Sequence, residues 1–144
     1  LDLIDGGLAR RKGIATKFGA LLDSVSDRIQ EAIVLLGLLI YYLNAPTGSV
    51  FGVFSYDKLG VILSYTAFVG SIMVSYLRAR SEGLGIDCKI GIMTRPERVV
   101  ALGFGLIVAH WVPTSVMIVL FALTVLGLIT TAQRLYHSSS TLKE

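Results

Sequence analysis

The sequence predicts an all-α protein, a polytopic bundle of membrane-spanning helices with four spans. Three observations predict this class: an apolar composition, long stretches without charge, and a one-sided distribution of the charges that remain. Of the 144 residues, 53% are hydrophobic and 16% are charged, whereas a soluble domain typically carries about 25% charged residues. This composition and the single cysteine, Cys88, argue against a disordered chain, a nucleic-acid-binding domain and a disulfide-stabilised secreted protein.

The predicted helices follow from three charge-free stretches of 25, 19 and 35 residues, at positions 32–56, 59–77 and 99–133. A membrane span needs about 20 apolar residues, so the first two stretches hold one span each. The third would be ~52 Å long as one helix and contains Pro113, so it is divided into two spans. The predicted helices are 17–43, 58–79, 96–111 and 114–135. Residues 138–140, three serines, are expected to form a disordered tail end.

The positive charges lie almost entirely on one side of this predicted bundle. Of the 13 Lys and Arg residues, only Lys58 falls on the side of the connections that follow the first and third helices. By the positive-inside rule, the other side faces the cytoplasm. We therefore expect a multi-pass protein of the cell membrane with its functional site facing the cytoplasm. A very apolar soluble bundle is the alternative, but it has no reason to sort its charges.

Two pairs of aspartates occur where a membrane protein would normally avoid them. Asp2 and Asp5 are three residues apart, and Asp23 and Asp27 are four apart, so each pair lies on one face of its helix. Like charges repel, and an aspartate within a span costs about 2.5–3.5 kcal/mol on insertion scales. A divalent cation would compensate both pairs. Carboxylate oxygens without His or Cys favour Mg²⁺ or Mn²⁺, and four carboxylates can hold two such ions.

The residues between the two pairs suit a diphosphate ligand. Gly6, Gly7 and Ala9 allow close approach to the backbone, and Arg10 supplies a positive charge nearby. Other interpretations remain open: Asp2 and Asp5 as ordinary helix-end residues, Asp23 as a helix cap, and Arg10 or Arg28 as ion-pair partners of an aspartate.

A second cluster of cations follows the second predicted helix. Five of the 13 lie within 21 residues, namely Arg78, Arg80, Lys89, Arg95 and Arg98, and Arg134 ends the last helix on the same side. Because Arg binds phosphate in a bidentate manner, this cluster suits a ligand that carries a phosphate. The alternative is a basic cytoplasmic loop that fixes topology and binds anionic lipid head groups.

The spacing of the N-terminal residues resembles the signature of the CDP-alcohol phosphatidyltransferase family. All eight signature positions are filled: Asp2-x-x-Asp5-Gly6-x-x-Ala9-Arg10, eight residues, then Gly19-x-x-x-Asp23-x-x-x-Asp27. The resemblance implies a six-span membrane enzyme of phospholipid biosynthesis, usually a homodimer, that transfers a phosphatidyl-type group from a CDP-linked lipid to an alcohol and releases CMP. Residues 1–144 would then be its transmembrane domain without the first span and most of the second, beginning with the end of a preceding span.

The resemblance also implies roles for individual residues. Two Mg²⁺ or Mn²⁺ ions would be held by Asp2, Asp5, Asp23 and Asp27, and Asp27 would also act as the general base. The CDP portion would contact Gly6, Arg10 and Thr16. The sequences around Arg78 and Arg98 are similar to those of the branch that makes phosphatidylinositol phosphate or archaetidylinositol phosphate. In that branch, the inositol-phosphate pocket is lined by the positions that match Arg78, Pro96, Arg98 and Arg134. Further candidates for this pocket are Arg80, Lys89 and Arg95.

The expected function is therefore transfer of a phosphatidyl-type group to an inositol phosphate, with the CDP-lipid, the acceptor, membrane lipids and a second copy of the chain as partners and no nucleic acid. Alternatives with the same chemistry use glycerol phosphate, serine or a soluble inositol compound as the acceptor. An alternative of another class is a cation transporter. The carboxylates cluster at one membrane face rather than continuing across it, which favours the enzyme.

Overall fold

The computed structural model describes residues 16–46, 49–50, 54–88 and 90–142. Within these residues the chain forms four α-helices and one short hairpin: α1 (Lys17–Leu43), β1 (Ser49–Val50), β2 (Phe54–Ser55), α2 (Tyr56–Gly83), α3 (Arg95–Val108) and α4 (Ser115–Thr141). The predicted helical architecture is confirmed. The two-residue strands pair antiparallel, with Ser49 opposite Ser55, and were not predicted.

The helices differ from their predicted bounds mainly at their polar ends. Helix α2 runs over Tyr56–Gly83 instead of 58–79, and α4 over Ser115–Thr141 instead of 114–135. The apolar stretch defines the part of a helix that suits a membrane, but polar residues can continue the same helix beyond it. The prediction of a disordered tail at residues 138–140 is wrong: these serines are helical, and the hydroxyl of Ser138 is hydrogen-bonded to that of Ser81 at 2.6 Å.

Two of the described helices, α2 and α4, are long and apolar enough to cross a membrane. Helix α3 has 14 residues and a length of ~21 Å, shorter than a hydrocarbon core of about 30 Å. Its predicted end at residue 111 is three residues too late, because the chain turns after Val108. Helix α1 is long enough but carries several charged residues in its first half.

The chain divides into two compact units, Leu1–Val34 and Leu35–Glu144, with the boundary inside α1. In the first unit, the described part is the beginning of α1. Its large apolar side chains are exposed, among them Phe18, Leu21 and Ile33, whereas the acidic residues Asp27 and Glu31 are buried. This distribution is opposite to that of a water-soluble helix, and it suits a helix whose apolar side faces lipid.

In the second unit, α2 and α4 pack side by side. Three pairs of small or hydroxyl residues join them along their length: Thr66 with Thr124, Gly70 with Gly127, and Ser81 with Ser138. The sequence separation within the pairs is nearly constant, so the two helices run parallel. A Cβ placed on Gly70 would lie 3.7 Å from Cα of Gly127. Small residues at such positions let helix backbones approach closely in membranes.

Helix α3 packs on the beginning of α4 and is well defined at its start. A capping box closes its N-terminus, in which Thr94 and Glu97 each bind the other's backbone N–H, and Pro96 occupies the first turn, where a missing N–H costs nothing. Ser115 donates a hydrogen bond to the carbonyl of Gly105 at 2.9 Å. The capping box thus fixes where α3 begins, and the Ser115 bond joins the end of α3 to the start of α4.

Candidate active site

The acidic face of α1 begins at Asp23, nearly two turns after the helix start at Lys17. The hydroxyl of Thr16 accepts a hydrogen bond from the backbone N–H of Gly19 at 3.0 Å. This bond satisfies one of the donors that a helix N-terminus leaves without a partner. Thr16, which the resemblance assigned to the CDP portion, therefore also caps α1.

Asp23, Asp27 and Glu31 follow one another at four-residue spacing and lie on one face of α1. Asp23 is exposed, whereas Asp27 and Glu31 are only 9% and 8% exposed. Sequence reasoning did not single out Glu31, although the continued spacing was a signal for it. The guanidinium of Arg28 donates to the backbone carbonyl of Ser24, on its own helix.

The structure describes only half of the predicted metal site. Asp2, Asp5, Gly6 and Arg10 lie outside the described residues. Among the residues that are described, no three His, Cys, Asp or Glu side chains come together as metal ligands. The described half, Asp23 and Asp27, offers oxygen donors on one helix face, and Asp27 is buried. This donor set fits a hard divalent ion, which would offset the cost of burying a carboxylate.

The predicted acceptor residues of the second unit lie at the charged end of its helices. Arg98 and Arg134 are buried, at 3% and 4% exposure. Arg78 is about half exposed, and its Nε lies 2.9 Å from Oε1 of Glu82. The positive charges of Arg78 and Arg98 both act on the guanidinium of Arg134. The structure thus brings the three predicted arginines close together, although they come from three different helices.

Such a cluster of like charges is unfavourable unless something compensates it. Part of the compensation comes from the protein, because Arg134 donates from Nε to the carbonyl of Ile90 at 2.8 Å and from Nη1 to the carbonyl of Val74. Glu82 contributes a negative charge through its pair with Arg78, and a bound phosphate would add further negative charge. Pro96 lies in the first turn of α3, two residues before Arg98. Of the further candidates, Arg80 is exposed, Arg95 is partly buried, and Lys89 lies outside the described residues.

Comparison with known sequences finds related membrane enzymes. The family model for CDP-alcohol phosphatidyltransferase matches residues 1–141. The archaetidylinositol phosphate synthase of Methanothermobacter thermautotrophicus is 34% identical over 99% of this chain and 66% of its own length. The phosphatidylinositol phosphate synthase of Mycobacterium marinum is 36% identical over 94% of this chain and 56% of its own length. The chain thus spans less than two thirds of the length of these relatives.

Solved structures of the phosphatidylinositol phosphate synthase of Mycobacterium tuberculosis have a similar fold. The complex with CDP-DAG has a TM-score of 0.80 at 32% identity and covers 95% of this chain and 66% of that protein. The complex with manganese and citrate has a TM-score of 0.79 at 32% identity, with 95% and 63% covered. Since the family model covers nearly the whole sequence and the fold is shared with membrane enzymes at this identity, the chain belongs to the CDP-alcohol phosphatidyltransferase family.

Proposed function

We propose that this protein transfers a phosphatidyl-type group from a CDP-linked lipid to an inositol-phosphate acceptor and releases CMP. Membership of the family supports the reaction type. The names of the relatives support an inositol-phosphate acceptor, and the CDP-DAG complex of the Mycobacterium tuberculosis enzyme supports a CDP-lipid donor. The observation that carries the choice of acceptor is the cluster of Arg78, Arg98 and Arg134, in which Arg98 and Arg134 are buried and Arg134 is hydrogen-bonded to Val74, one turn before Arg78.

The acidic residues are proposed to hold two divalent ions, Mg²⁺ or Mn²⁺, through Asp2, Asp5, Asp23 and Asp27. The manganese complex of the related structure supports this class of metal. Such ions, when bound, neutralise charge on the diphosphate and on the departing CMP. Asp27 is buried, and a carboxylate is among the side chains that act as general bases.

Proton transfer at Asp27 starts the proposed reaction. Its carboxylate takes the proton from a hydroxyl of the acceptor, and the hydroxyl oxygen forms a bond to the β-phosphorus of the CDP-lipid. The bond between that phosphorus and the bridging oxygen breaks, and the electron pair leaves with CMP. Gly6, Arg10 and Thr16 are proposed to contact the CDP portion during this step.

The arginines orient the acceptor for this attack. Arg78, Arg98 and Arg134, together with the helix start at Pro96, are proposed to bind the phosphate of the inositol phosphate. A guanidinium can bind two phosphate oxygens at once, so the acceptor is held in one orientation and its hydroxyl approaches in line. Glycerol phosphate would use the same cluster, whereas serine and free inositol carry no phosphate and would leave it unused.

The setting of the reaction is proposed to be the cytoplasmic face of the cell membrane. Twelve of the 13 Lys and Arg residues are expected on the side of the acidic motif, which supports this orientation. Residues 1–144 then belong to the transmembrane domain of the enzyme, and the working form is proposed to be a homodimer.

Release of CMP by the purified protein in lipid or detergent tests the proposal. The donor is CDP-diacylglycerol or its ether-lipid counterpart, and the acceptor panel is inositol phosphate, glycerol phosphate, serine and free inositol. We expect inositol phosphate to be the preferred acceptor. Equal rates with free inositol, or CMP release only with serine, would contradict the phosphate-binding role of the arginines.

A pair of variants tests the proposed base. Asp27→Asn should lower CMP release by about 10²–10⁴-fold, the range for loss of a general base. The matched control is Asp57→Asn, in the first turn of α2, which should retain activity. Full activity of the Asp27 variant would refute the assignment.

A further inference from the structure

Arg134 joins three parts of the second unit through one side chain. From α4, its Nε donates to the carbonyl of Ile90 at 2.8 Å, and its Nη1 donates to the carbonyl of Val74 on α2. The side chain is only 4% exposed. A guanidinium is a planar fork of five N–H donors, so these two bonds fix its plane.

Ile90 belongs to the α2–α3 connection, which is described at residues 84–88 and 90–94. The next residue, Gly91, has a φ of +140°, and a Cβ there would lie 2.6 Å from Cγ2 of Thr130 and 3.3 Å from Nε of Arg134. The N–H of Met93 then donates to Oγ1 of Thr130 at 3.3 Å. The connection therefore lies tightly along α4, and α3 begins immediately after it.

We infer that Arg134 is a positioning residue: by binding the carbonyls of Val74 and Ile90 it holds the α2–α3 connection against α2 and α4, and so fixes Arg98 relative to Arg78. This role is separate from a direct contact with phosphate. The consequence of this role for acceptor binding rests on the proposed function. Its effect on the position of the α2–α3 connection does not, because both hydrogen bonds are made within the protein.

The electrostatics of the cluster explain why a guanidinium suits this position. Arg134 is buried and feels the positive charges of Arg78 and Arg98. The negative ends of two carbonyl dipoles compensate that repulsion in part. A lysine would bring the same charge but only a compact ammonium group, which lacks the rigid fork that reaches two carbonyls in different directions.

Cys88 offers a reporter for this inference that needs no substrate. It lies in the α2–α3 connection, is completely buried, and its Sγ is 4.0 Å from the hydroxyl of Ser138 on α4. If Arg134 holds the connection, its loss should expose Cys88 more often. The measurement is the rate at which a water-soluble maleimide modifies Cys88 in the substrate-free protein, followed by mass spectrometry of the peptide that contains it.

We expect Arg134→Ala to raise this rate about tenfold or more, as expected from the loss of hydrogen bonds made by a charged donor. Arg134→Lys should also raise it, because charge alone does not replace the fork. Arg80→Ala, which removes an exposed arginine of α2, is the control and should leave the rate unchanged. An unchanged rate in Arg134→Ala would overturn the inference.

A second variant tests the same hold without removing any charge. Gly91→Ala retains all the arginines but forces the connection away from Thr130 and Arg134. It should raise both the rate of Cys88 modification and the KM for inositol phosphate, with the KM for the CDP-lipid within about twofold of wild type. Because Gly91 and Arg134 then act through one contact, the double variant should show little more than the larger single effect.

The outcomes separate this inference from the proposed function. If the effects of Gly91→Ala and Arg134→Ala on the acceptor KM multiply, Arg134 acts as an independent phosphate ligand and the positioning role is refuted. If Cys88 becomes accessible in both variants while neither changes the acceptor KM, the hold on the connection is supported and the proposed acceptor site fails.

Discussion

Replacing Gly60 by alanine is expected to destabilise the second unit, because the added methyl group has no space. A Cβ at this position would lie 2.2 Å from Cγ and 2.3 Å from Cδ1 of Tyr42, where carbon atoms normally stay about 3.5–4.0 Å apart. The Tyr42 side chain is completely buried, so it must give up part of its packing to make room for the methyl group. Overpacking typically costs about 1–3 kcal/mol, against about 1 kcal/mol that alanine gains over glycine within a helix. An overlap this severe should cost an amount in the upper part of that range. The expected net loss in the free energy of unfolding is therefore about 1–2 kcal/mol.

Thermal unfolding in detergent, followed by circular dichroism, measures this effect. Gly37→Ala is the matched control, since a Cβ at Gly37 meets nothing within 4 Å, and it should be neutral or stabilising. Tyr42→Leu should shorten the obstacle and relieve part of the cost of Gly60→Ala, which a double-mutant cycle detects. The packing argument is refuted if Gly60→Ala is as stable as wild type, or if its cost is the same with and without Tyr42.

Three further predictions concern the acceptor, the metal and the helix pair. Arg98→Ala should raise the KM for inositol phosphate about tenfold or more, consistent with loss of a charge-assisted bond, with little change for the CDP-lipid; an equal rise for both substrates would count against an acceptor role. Chelation of divalent ions should stop CMP release, and added Mg²⁺ or Mn²⁺ should restore it; activity that survives full chelation would exclude the proposed metal site. Thr66→Val should cost about 0.6 kcal/mol, the average for a polar contact between membrane helices, because it removes the 3.1 Å contact with Thr124; an additive cost with Thr124→Val in an unfolding assay would show that this contact contributes nothing.

The sequence was sufficient to predict the helices and the family. Each charge-free stretch is recognised from consecutive residues, without knowledge of the rest of the fold. The four helices were therefore predicted in the right order. The eight-position motif likewise depends on spacing alone, and the family assignment that it predicted is confirmed. The roles of Asp23 and Asp27 in metal binding remain predictions, since their expected partners Asp2 and Asp5 lie outside the described residues.

For the cluster of arginines, the sequence predicted the location but not the contacts. A count of cations located Arg78, Arg98 and Arg134 on the same side of the bundle, and the structure brings them close together. Nothing in the sequence indicated that Arg134 also binds the carbonyls of Val74 and Ile90, which are 60 and 44 residues away in the chain. The same reason explains the error at Ser138, whose helical conformation is supported by a hydrogen bond to Ser81, 57 residues earlier.

The sequence by itself determined that this protein is a helical membrane protein of one family, because hydropathy, the sorting of charge and the i, i+4 spacing of carboxylates are properties of neighbouring residues. Only the tertiary structure decided that α2 and α4 run parallel through small-residue contacts, and that a buried guanidinium holds the connection to α3. Those features depend on pairs of residues that lie far apart in the chain, and their contacts are set by how the helices pack against one another.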